Sequence, residues 1–168
     1  MPTTIKTFNS SGGFGINQTP LITDTLDVKN VNTLELQNSN FIDASSKRYI
    51  LRGVSTTILS QDNGSTPVPI SSSTINFITA HIIGVNPTGS GHYSFKNETV
   101  ISCGSAGAIS ILSSLDTIIK DSIPTGETWT AVPYSAIANQ FSYSTTRTGT
   151  AVAIKWFANV EVVKVLWT

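Results

Sequence analysis

Three observations on the sequence predict an all-β protein. Residues 152–162 are apolar at every second position, which is the period of a strand with one face in a core. Clusters of Gly, Pro, Asn and Ser separate further β-branched segments about every ten residues. Charged residues make up only 12% of the chain, and the Ser, Thr and Asn that replace them disfavour long solvated helices. We therefore predict a C-terminal antiparallel β-sandwich or jelly roll, preceded by an extended N-terminal arm of short strands.

Residues 1–61 make up the predicted arm. Apolar residues recur in its second half every two to five positions, a spacing that fits neither a helix nor a strictly alternating strand. Short strands over 25–28 and 33–36, joined by an Asn-rich turn, fit this pattern better. Gly-Gly-Phe-Gly at 12–15 breaks regular structure ahead of them.

The arm has too few apolar residues to bury a face of its own. Because short strands need further layers to be stable, three copies packed around an axis would supply the missing contacts. We therefore predict that the arm anchors the protein and joins it into a homotrimer. The alternative is an N-terminal strand and loop that pack on their own subunit. The predicted interface residues are Leu26, Val28, Val31, Leu34 and Leu36.

A dense group of turn formers, Asp-Asn-Gly-Ser-Thr-Pro-Val-Pro at 62–69, marks the predicted boundary between the arm and a β-sandwich domain over 62–168. Two prolines in this group oppose both a helix and a central strand. One more strand is expected just before the boundary, over 49–59, with a break at Gly53.

The body of the chain has the pattern of successive strands. Turn signals such as Asn-Pro-Thr-Gly at 86–89 separate the apolar segments. The single helical candidate is short and covers 133–140. The predicted strands cover 75–85, 92–103, 108–115, 117–120, 128–132, 139–145 and 152–167.

The alternation of the last strand changes phase at Val162 and Val163. Lys164 falls on the face that is apolar up to that point, while Val165 and Trp167 take the other face. Such a change predicts either a β-bulge or a strand that crosses between two packing environments.

Charge and hydropathy exclude several kinds of partner. Ten acidic residues balance ten basic residues, so the chain lacks the basic surplus that nucleic acid or an anionic membrane requires. No apolar run approaches the roughly 20 residues of a membrane span, and the first residues lack the pattern of a signal peptide. We expect neither nucleic-acid binding nor membrane insertion. The single cysteine, Cys103, is expected to be a buried small hydrophobic residue.

Residues with catalytic chemistry are few and scattered. His81 lies inside a strand pattern and is expected to be structural, and no Ser or Cys stands with His92 in a nucleophilic arrangement. The carboxylates of the body form no close motif of the kind that glycoside hydrolysis uses. We therefore predict a protein that is not an enzyme, without catalytic, cofactor-binding or metal-binding residues and without a cofactor.

Residues near the predicted turns offer a surface for a ligand or a protein partner. Tyrosine combines an apolar ring with a polar tip and is common at such surfaces. The loops 86–92 and 124–129 are the expected recognition loops. The alternative for each aromatic residue is a place on the rim of the core. The predicted surface residues are His92, Tyr93, Tyr134 and Tyr143.

Two parts of the chain carry a family resemblance. The first is the arm, with GGFG and short pieces such as TLDVKNVNTLELQ, and the second is the final segment AIKWFANVEVVKVLW. Together they resemble virion appendage proteins of tailed bacteriophages, particularly small fibre and structural proteins of cyanobacterial phages. The resemblance implies a trimeric fold, a jelly-roll-like body and a non-enzymatic role on a virus particle. The final segment matches the family pattern at Trp156, Ala158, Val160, Glu161, Val162 and Val165.

These expectations describe a structural protein of the virion. We predict a homotrimeric short fibre or spike subunit. Its arm binds other virion proteins of the tail, baseplate or capsid, and its body binds a host surface glycan. One alternative is a capsid decoration protein that stabilises the phage head. A further alternative is a polysaccharide depolymerase.

Overall fold

The computed structural model describes residues 14–16, 19–22 and 33–167. The chain divides into two compact units, Met1–Asn32 and Thr33–Thr168.

The smaller unit contains a short hairpin. Strands β1 (Phe14–Ile16) and β2 (Thr19–Ile22) pair in antiparallel fashion. The predicted strand over 25–28 lies outside the described residues. The same is true of three of the predicted interface residues, Leu26, Val28 and Val31.

The larger unit consists of two antiparallel sheets. The first has six strands in the order β3-β4-β12-β7-β8-β9, and the second has the order β10-β11-β5, with β6 also paired to β11. The described residues contain no helix, and therefore none long and apolar enough to cross a membrane. The predicted all-β antiparallel sandwich is confirmed. The strands are β3 (Thr33–Leu36), β4 (Ala44–Val54), β5 (Thr57–Ile58), β6 (Val68–Pro69), β7 (Thr74–Val85), β8 (His92–Cys103), β9 (Ile109–Asp121), β10 (Thr128–Tyr134), β11 (Gln140–Thr148) and β12 (Lys155–Leu166).

The core is one cluster of buried side chains drawn from both sheets. Strict alternation along β7 buries Ile78, Ala80 and Ile82 and leaves the residues between them more exposed. From the second sheet, Phe141 of β11 and Trp129 of β10 pack into the same cluster. A period of two along β7, β8 and β12 therefore gives the first sheet one inner face and one outer face.

Gly84 makes room for the indole of Trp156 on β12. Gly53 of β4 and Gly84 of β7 lie directly opposite Trp156 on the two neighbouring strands. A Cβ added to Gly84 would lie 2.6 Å from Cζ3 of the indole, and one added to Gly53 would collide with the side chains of Thr57 and Leu59. The indole thus fits beside Gly84 only because that residue has no side chain, while Gly53 leaves room for Thr57 and Leu59.

The phase change in the last strand reflects a change of environment. The pairing of β12 with β4 and β7 is continuous, without the register shift that a bulge requires. Val162 is the last buried residue of the inner face, and beyond it the apolar residues Val163 and Val165 lie opposite Phe77 and Ile75 on the outer face. Of the two predicted explanations, the bulge is wrong and the crossing between environments is correct.

Residues 33–61, which the sequence prediction places in the arm, belong to the larger unit. The compact units divide after Asn32, whereas the sequence prediction places the boundary at residue 61. Strand β4 pairs with β12 along its full length, and its Tyr49 and Leu51 are buried in the core. This pairing satisfies the backbone groups along one side of β12. The role of residues 1–61 in association and anchoring stays a prediction.

Two predicted elements differ from the structure. The helical candidate over 133–140 is wrong, because Pro133 and Tyr134 end β10 and a turn with positive φ at Asn139 leads into β11. The two predicted strands over 108–115 and 117–120 form the single strand β9.

The variant G84A tests whether the Trp156 indole needs the space that Gly84 leaves beside it. The added methyl group overpacks the indole, so we expect the free energy of unfolding in urea to fall by about 1–3 kcal/mol. The matched control is G104A, since a Cβ there would make an ordinary 3.7 Å contact with the Ala108 carbonyl oxygen. Equal stability of the two variants would contradict the proposed fit.

Candidate functional site

The predicted surface residues do not form one site. His92 and Tyr93 begin β8 and are half-buried, and the Tyr93 ring packs against Phe95 with centroids 5.1 Å apart. Tyr134 ends β10, five residues beyond Trp129 and therefore about 17 Å further along the strand. Tyr134 lies instead beside Phe141 in a shallow groove.

Tyr143 is buried in the core and does not offer a surface to a ligand. Its side chain is fully buried, and its hydroxyl donates a hydrogen bond to Oδ1 of Asn97 at 2.8 Å. Nδ2 of Asn97 in turn donates to Oδ1 of Asp116 at 2.7 Å and to Oγ of Ser114 at 2.9 Å. Burial raises the pKa of the Tyr143 phenol well above its ordinary value. The residue joins the two sheets through a polar contact, because β11 and β8 belong to different sheets.

The two predicted recognition loops meet at one end of the sandwich. A Cβ added to Gly91 would lie 3.1 Å from both Pro124 and the Trp129 ring, so the first loop packs directly on the second. Trp129 itself is buried and donates its indole N–H to Glu127 at 2.8 Å. The turn at Gly149 packs against the same second loop. The buried indole supports the loops and leaves their polar residues on the surface.

A polar cleft of about 300 Å³ lies beside the end of β4. Oδ1 of Asp62 accepts hydrogen bonds from the backbone N–H of Gly64 at 2.9 Å and of Thr66 at 3.2 Å, and Oδ2 accepts one from the Thr66 hydroxyl at 2.9 Å. These bonds hold the pKa of the Asp62 carboxyl below its ordinary value, so the group is charged at neutral pH. The lining residues are Arg52, Gly53, Val54, Ser60, Gln61, Asp62, Asn63 and Ser65.

An apolar cleft of about 260 Å³ adjoins the polar one on the outer face of the six-stranded sheet. Phe157 of β12 is 39% exposed and lies between Arg52 of β4 and Ile83 of β7. The two clefts share Arg52, Gly53 and Val54, and together we call them the Arg52 clefts. The apolar cleft is lined by Arg52, Gly53, Val54, Ile83, Val85, Lys155, Trp156 and Phe157.

The Arg52 clefts and the loops lie at the same end of the sheet. Val85 lines the apolar cleft and directly precedes the loop 86–91, while Lys155 pairs with both Val54 and Val85. This end therefore brings two aromatic side chains, two cations and one carboxylate together with the amides of Gln61 and Asn63.

Sequence analysis did not identify the residues of the Arg52 clefts. The Asp62 turn was assigned only to a domain boundary, although its short polar side chains are typical of hydrogen-bonding loops. Phe157 carries a clearer signal, since it is an aromatic residue among the polar Lys155, Asn159 and Glu161 on one face of the last strand. With the exposed Val54 and Ile83, it forms a contiguous apolar patch, and such patches often mark a contact surface.

This arrangement is suited to a polyhydroxylated ligand. Carboxylate, guanidinium and amide groups can donate and accept hydrogen bonds with vicinal hydroxyls, and an exposed aromatic face can pack against the C–H side of a sugar ring. Among the described residues, no group of three His, Cys, Asp or Glu side chains lies close enough to hold a metal ion.

Comparisons with known proteins yield one distant structural neighbour. No protein-family model and no curated protein matches the chain. The chain is similar to the tailspike protein gp49 of Acinetobacter baumannii bacteriophage Fri1, a capsular polysaccharide depolymerase, with 12% identity and a TM-score of 0.46. The match covers 92% of this chain and 25% of the tailspike, so the chain spans about a quarter of that protein.

This neighbour bears on two expectations. The prediction that the protein is not an enzyme is contradicted, because the matched structure is a depolymerase. The neighbour belongs to a tailed-phage appendage, which agrees with the predicted class, but nothing in the comparisons supports the cyanobacterial phages. A likeness at this level establishes neither kinship nor activity.

The link between the sheets can be tested with Y143F. The variant removes one of the two hydrogen bonds that Oδ1 of Asn97 accepts, since the Thr99 hydroxyl still donates at 2.7 Å. We expect the free energy of unfolding in urea to fall by about 1 kcal/mol at neutral pH. Y134F is the matched control, because Tyr134 is partly exposed, and its stability should stay within about 0.5 kcal/mol of wild type.

The raised pKa of Tyr143 also predicts a dependence on alkaline pH. The folded state keeps this phenol protonated at pH values where the unfolded chain ionises, so its contribution to stability is complete below about pH 10 and declines above it. Unfolding measured from about pH 8 to about pH 11 should show a smaller loss in Y143F than in wild type. The pKa values of Tyr49 and Tyr93 are also raised. These two residues contribute equally to the pH dependence of stability in wild type and in Y143F. Identical pH profiles would contradict the assignment.

Proposed function

We propose that the chain is a surface protein of a tailed-phage particle that binds envelope polysaccharide of the host through the Arg52 clefts. The observation that supports this proposal best is the junction of a polar and an apolar cleft at Arg52, Gly53 and Val54. Their volumes of about 300 and 260 Å³ suit adjacent sugar rings better than a large flat partner.

In the polar cleft, Arg52 and Asp62 have complementary roles. Arg52 does not belong to any of the ion pairs found among the described residues, so its guanidinium can donate hydrogen bonds to a sugar hydroxyl or carboxylate. The charged carboxylate of Asp62 is fixed by Gly64 and Thr66. This carboxylate can accept hydrogen bonds from neighbouring sugar hydroxyls without reorganising. The free-energy cost of ordering the site on binding is therefore lower.

In the apolar cleft, Phe157 provides the stacking surface. Its ring is 39% exposed in the middle of a sheet, with Ile83 beside it on β7. A rigid strand holds the ring more precisely than a loop would. The two clefts thus bind different parts of a saccharide, its hydroxyls and its apolar ring face.

The place of the protein on the particle follows from the sequence resemblance. We propose a short fibre or spike subunit whose arm contacts other proteins of the tail, baseplate or capsid. The predicted homotrimer uses the arm, where Leu34 and Leu36 of β3 are 51% and 65% exposed. Apolar side chains with that exposure are available to neighbouring copies.

The proposal can be tested by binding of the full chain to immobilised bacterial surface polysaccharides. We expect R52A to weaken binding about tenfold or more, because it removes charge-assisted hydrogen bonds, and F157A to weaken it through loss of stacking. The matched control is R48A, since Arg48 lies on the same strand and face but pairs with Glu161 at 3.4 Å. The control should bind as wild type does.

Two outcomes would contradict the proposal. One is equal polysaccharide binding by R52A and R48A. The other is binding to purified phage heads without binding to any polysaccharide, which would favour the capsid decoration protein. Reducing ends released from a bound polysaccharide would show cleavage in addition to binding. D62N would then test whether the cleft carboxylate takes part.

A further inference from the structure

Strand β9 is a long edge strand whose side chains are exposed on both faces. It spans 13 residues, and the strand order places β8 on one side of it and no described strand on the other. All residues after Ile109 are exposed. The large apolar side chains among them are Ile111, Leu112, Leu115, Ile118 and Ile119, with exposed fractions of 43–68%.

Such an edge differs from the protected edges of stable monomers. Proteins usually limit free edges by making them short or by adding Lys or Pro. The opposite edge of the same sheet, β3, has only four residues and carries a Glu35–Lys47 ion pair to β4. Strand β9 has no proline, and Asp116 is its only charged residue before Lys120. Its free backbone groups and apolar side chains therefore need a partner strand.

The sequence of β9 is nearly palindromic in polarity about Leu115. If a second copy of β9 pairs antiparallel with Leu115 opposite Leu115, apolar residues face apolar residues on both sides of the centre. Leu112 then faces Ile118 of the second copy, and Ile111 faces Ile119 of the second copy. Ile109 opposite Asp121 is the single mismatch. A strand whose pattern reads alike in both directions fits a two-fold contact, in which residue i of one copy meets residue j of the other and j meets i.

The polar residues of β9 fit the same register. Ser113 would face Thr117 of the second copy, and Ser114 would face Asp116 of the second copy, so no like charges are directly opposite. Asp116 already accepts a hydrogen bond from Asn97 at 2.7 Å. Pairing would therefore not leave its carboxylate without a partner.

The backbone of β9 is regular where this pairing is centred. Its register with β8 shifts at Val100/Ile101 and at Ser94/Phe95, and the segment from Ser113 to Ile118 between these shifts is continuous. The irregular positions fall at Leu112 and Ile119, which lack a partner residue on β8. Extended backbone over the central residues is what a new antiparallel ladder requires.

We propose that β9 pairs with β9 of a second copy about a two-fold axis at Leu115, so that two six-stranded sheets become one continuous sheet of twelve strands. The occupant of the edge is the same strand of another copy. The contact is separate from the threefold association predicted for the arm and does not depend on polysaccharide binding. Its test therefore succeeds or fails independently of the Proposed function.

The two-fold axis can be tested with L115C. Residues directly opposite in an antiparallel pair have Cα atoms about 4.5–5.5 Å apart, which is within the range of a disulfide. We expect L115C to form a covalent dimer on mild oxidation of the full chain. Wild type should not, because its Cys103 is fully buried. Leu115 is 60% exposed, so the substitution should leave the fold intact.

Position-matched controls define the register. S113C alone and T117C alone should not cross-link, because in the proposed pairing two copies of the same thiol lie about 13 Å apart along the strands. An equimolar mixture of S113C and T117C should cross-link, since Ser113 faces Thr117 of the second copy. Cross-linking of S113C alone at the rate of L115C would overturn the proposed register.

Sedimentation equilibrium gives a second measurement. We expect wild type to contain an even number of chains, and L115K to have half the mass of wild type, because two lysines would face each other at the axis. The circular dichroism spectrum of L115K should match that of wild type. An unchanged mass in L115K, or a folded L115C that does not cross-link, would overturn the proposal.

Discussion

The insertion of β12 between β4 and β7 is the constraint on which the rest of the structure depends. This last strand hydrogen-bonds to partners that precede it by roughly 70 to 120 positions along the chain. The indole of Trp156 fits near its start only because Gly84 on the neighbouring strand has no side chain. Without β12, the six-stranded sheet would separate into β3-β4 and β7-β8-β9. The core of the sandwich and the surface of its outer face therefore share one central element.

The candidate site is a consequence of the same insertion. Arg52 and Ile83 lie on strands that do not pair with each other, and Phe157 of β12 lies between them. The polar cleft adds a fixed carboxylate from the loop after β5, since Asp62 is held by Gly64 and Thr66. A rigid aromatic ring and a preorganised charged group thus line adjoining clefts. Strand β9 lies at the opposite side of the sheet order from β4.

Much of the fold could be predicted because local alternation carries the signal. Strands over 33–36 and 92–103 have the predicted bounds, and β7 differs by one residue. The surface residues were harder to predict. Tyr143 is adjacent to a turn signal in the sequence yet is buried, because the contact that covers it comes from Asn97 in the other sheet. The Arg52 clefts combine three segments distant in sequence, and no local pattern reports such a meeting.

Period-two patterning in the amino-acid sequence was enough to establish the class of fold, the place of nearly every strand and the inward-facing residues of the last one. It did not reveal which strands are neighbours, which tyrosine is buried or where the clefts form. The physical reason is that alternation is the same for any antiparallel partner, so it specifies a face and not a neighbour. Neighbours are selected by long-range fit, such as the indole of Trp156 against Gly84, and only the folded chain brings those groups together.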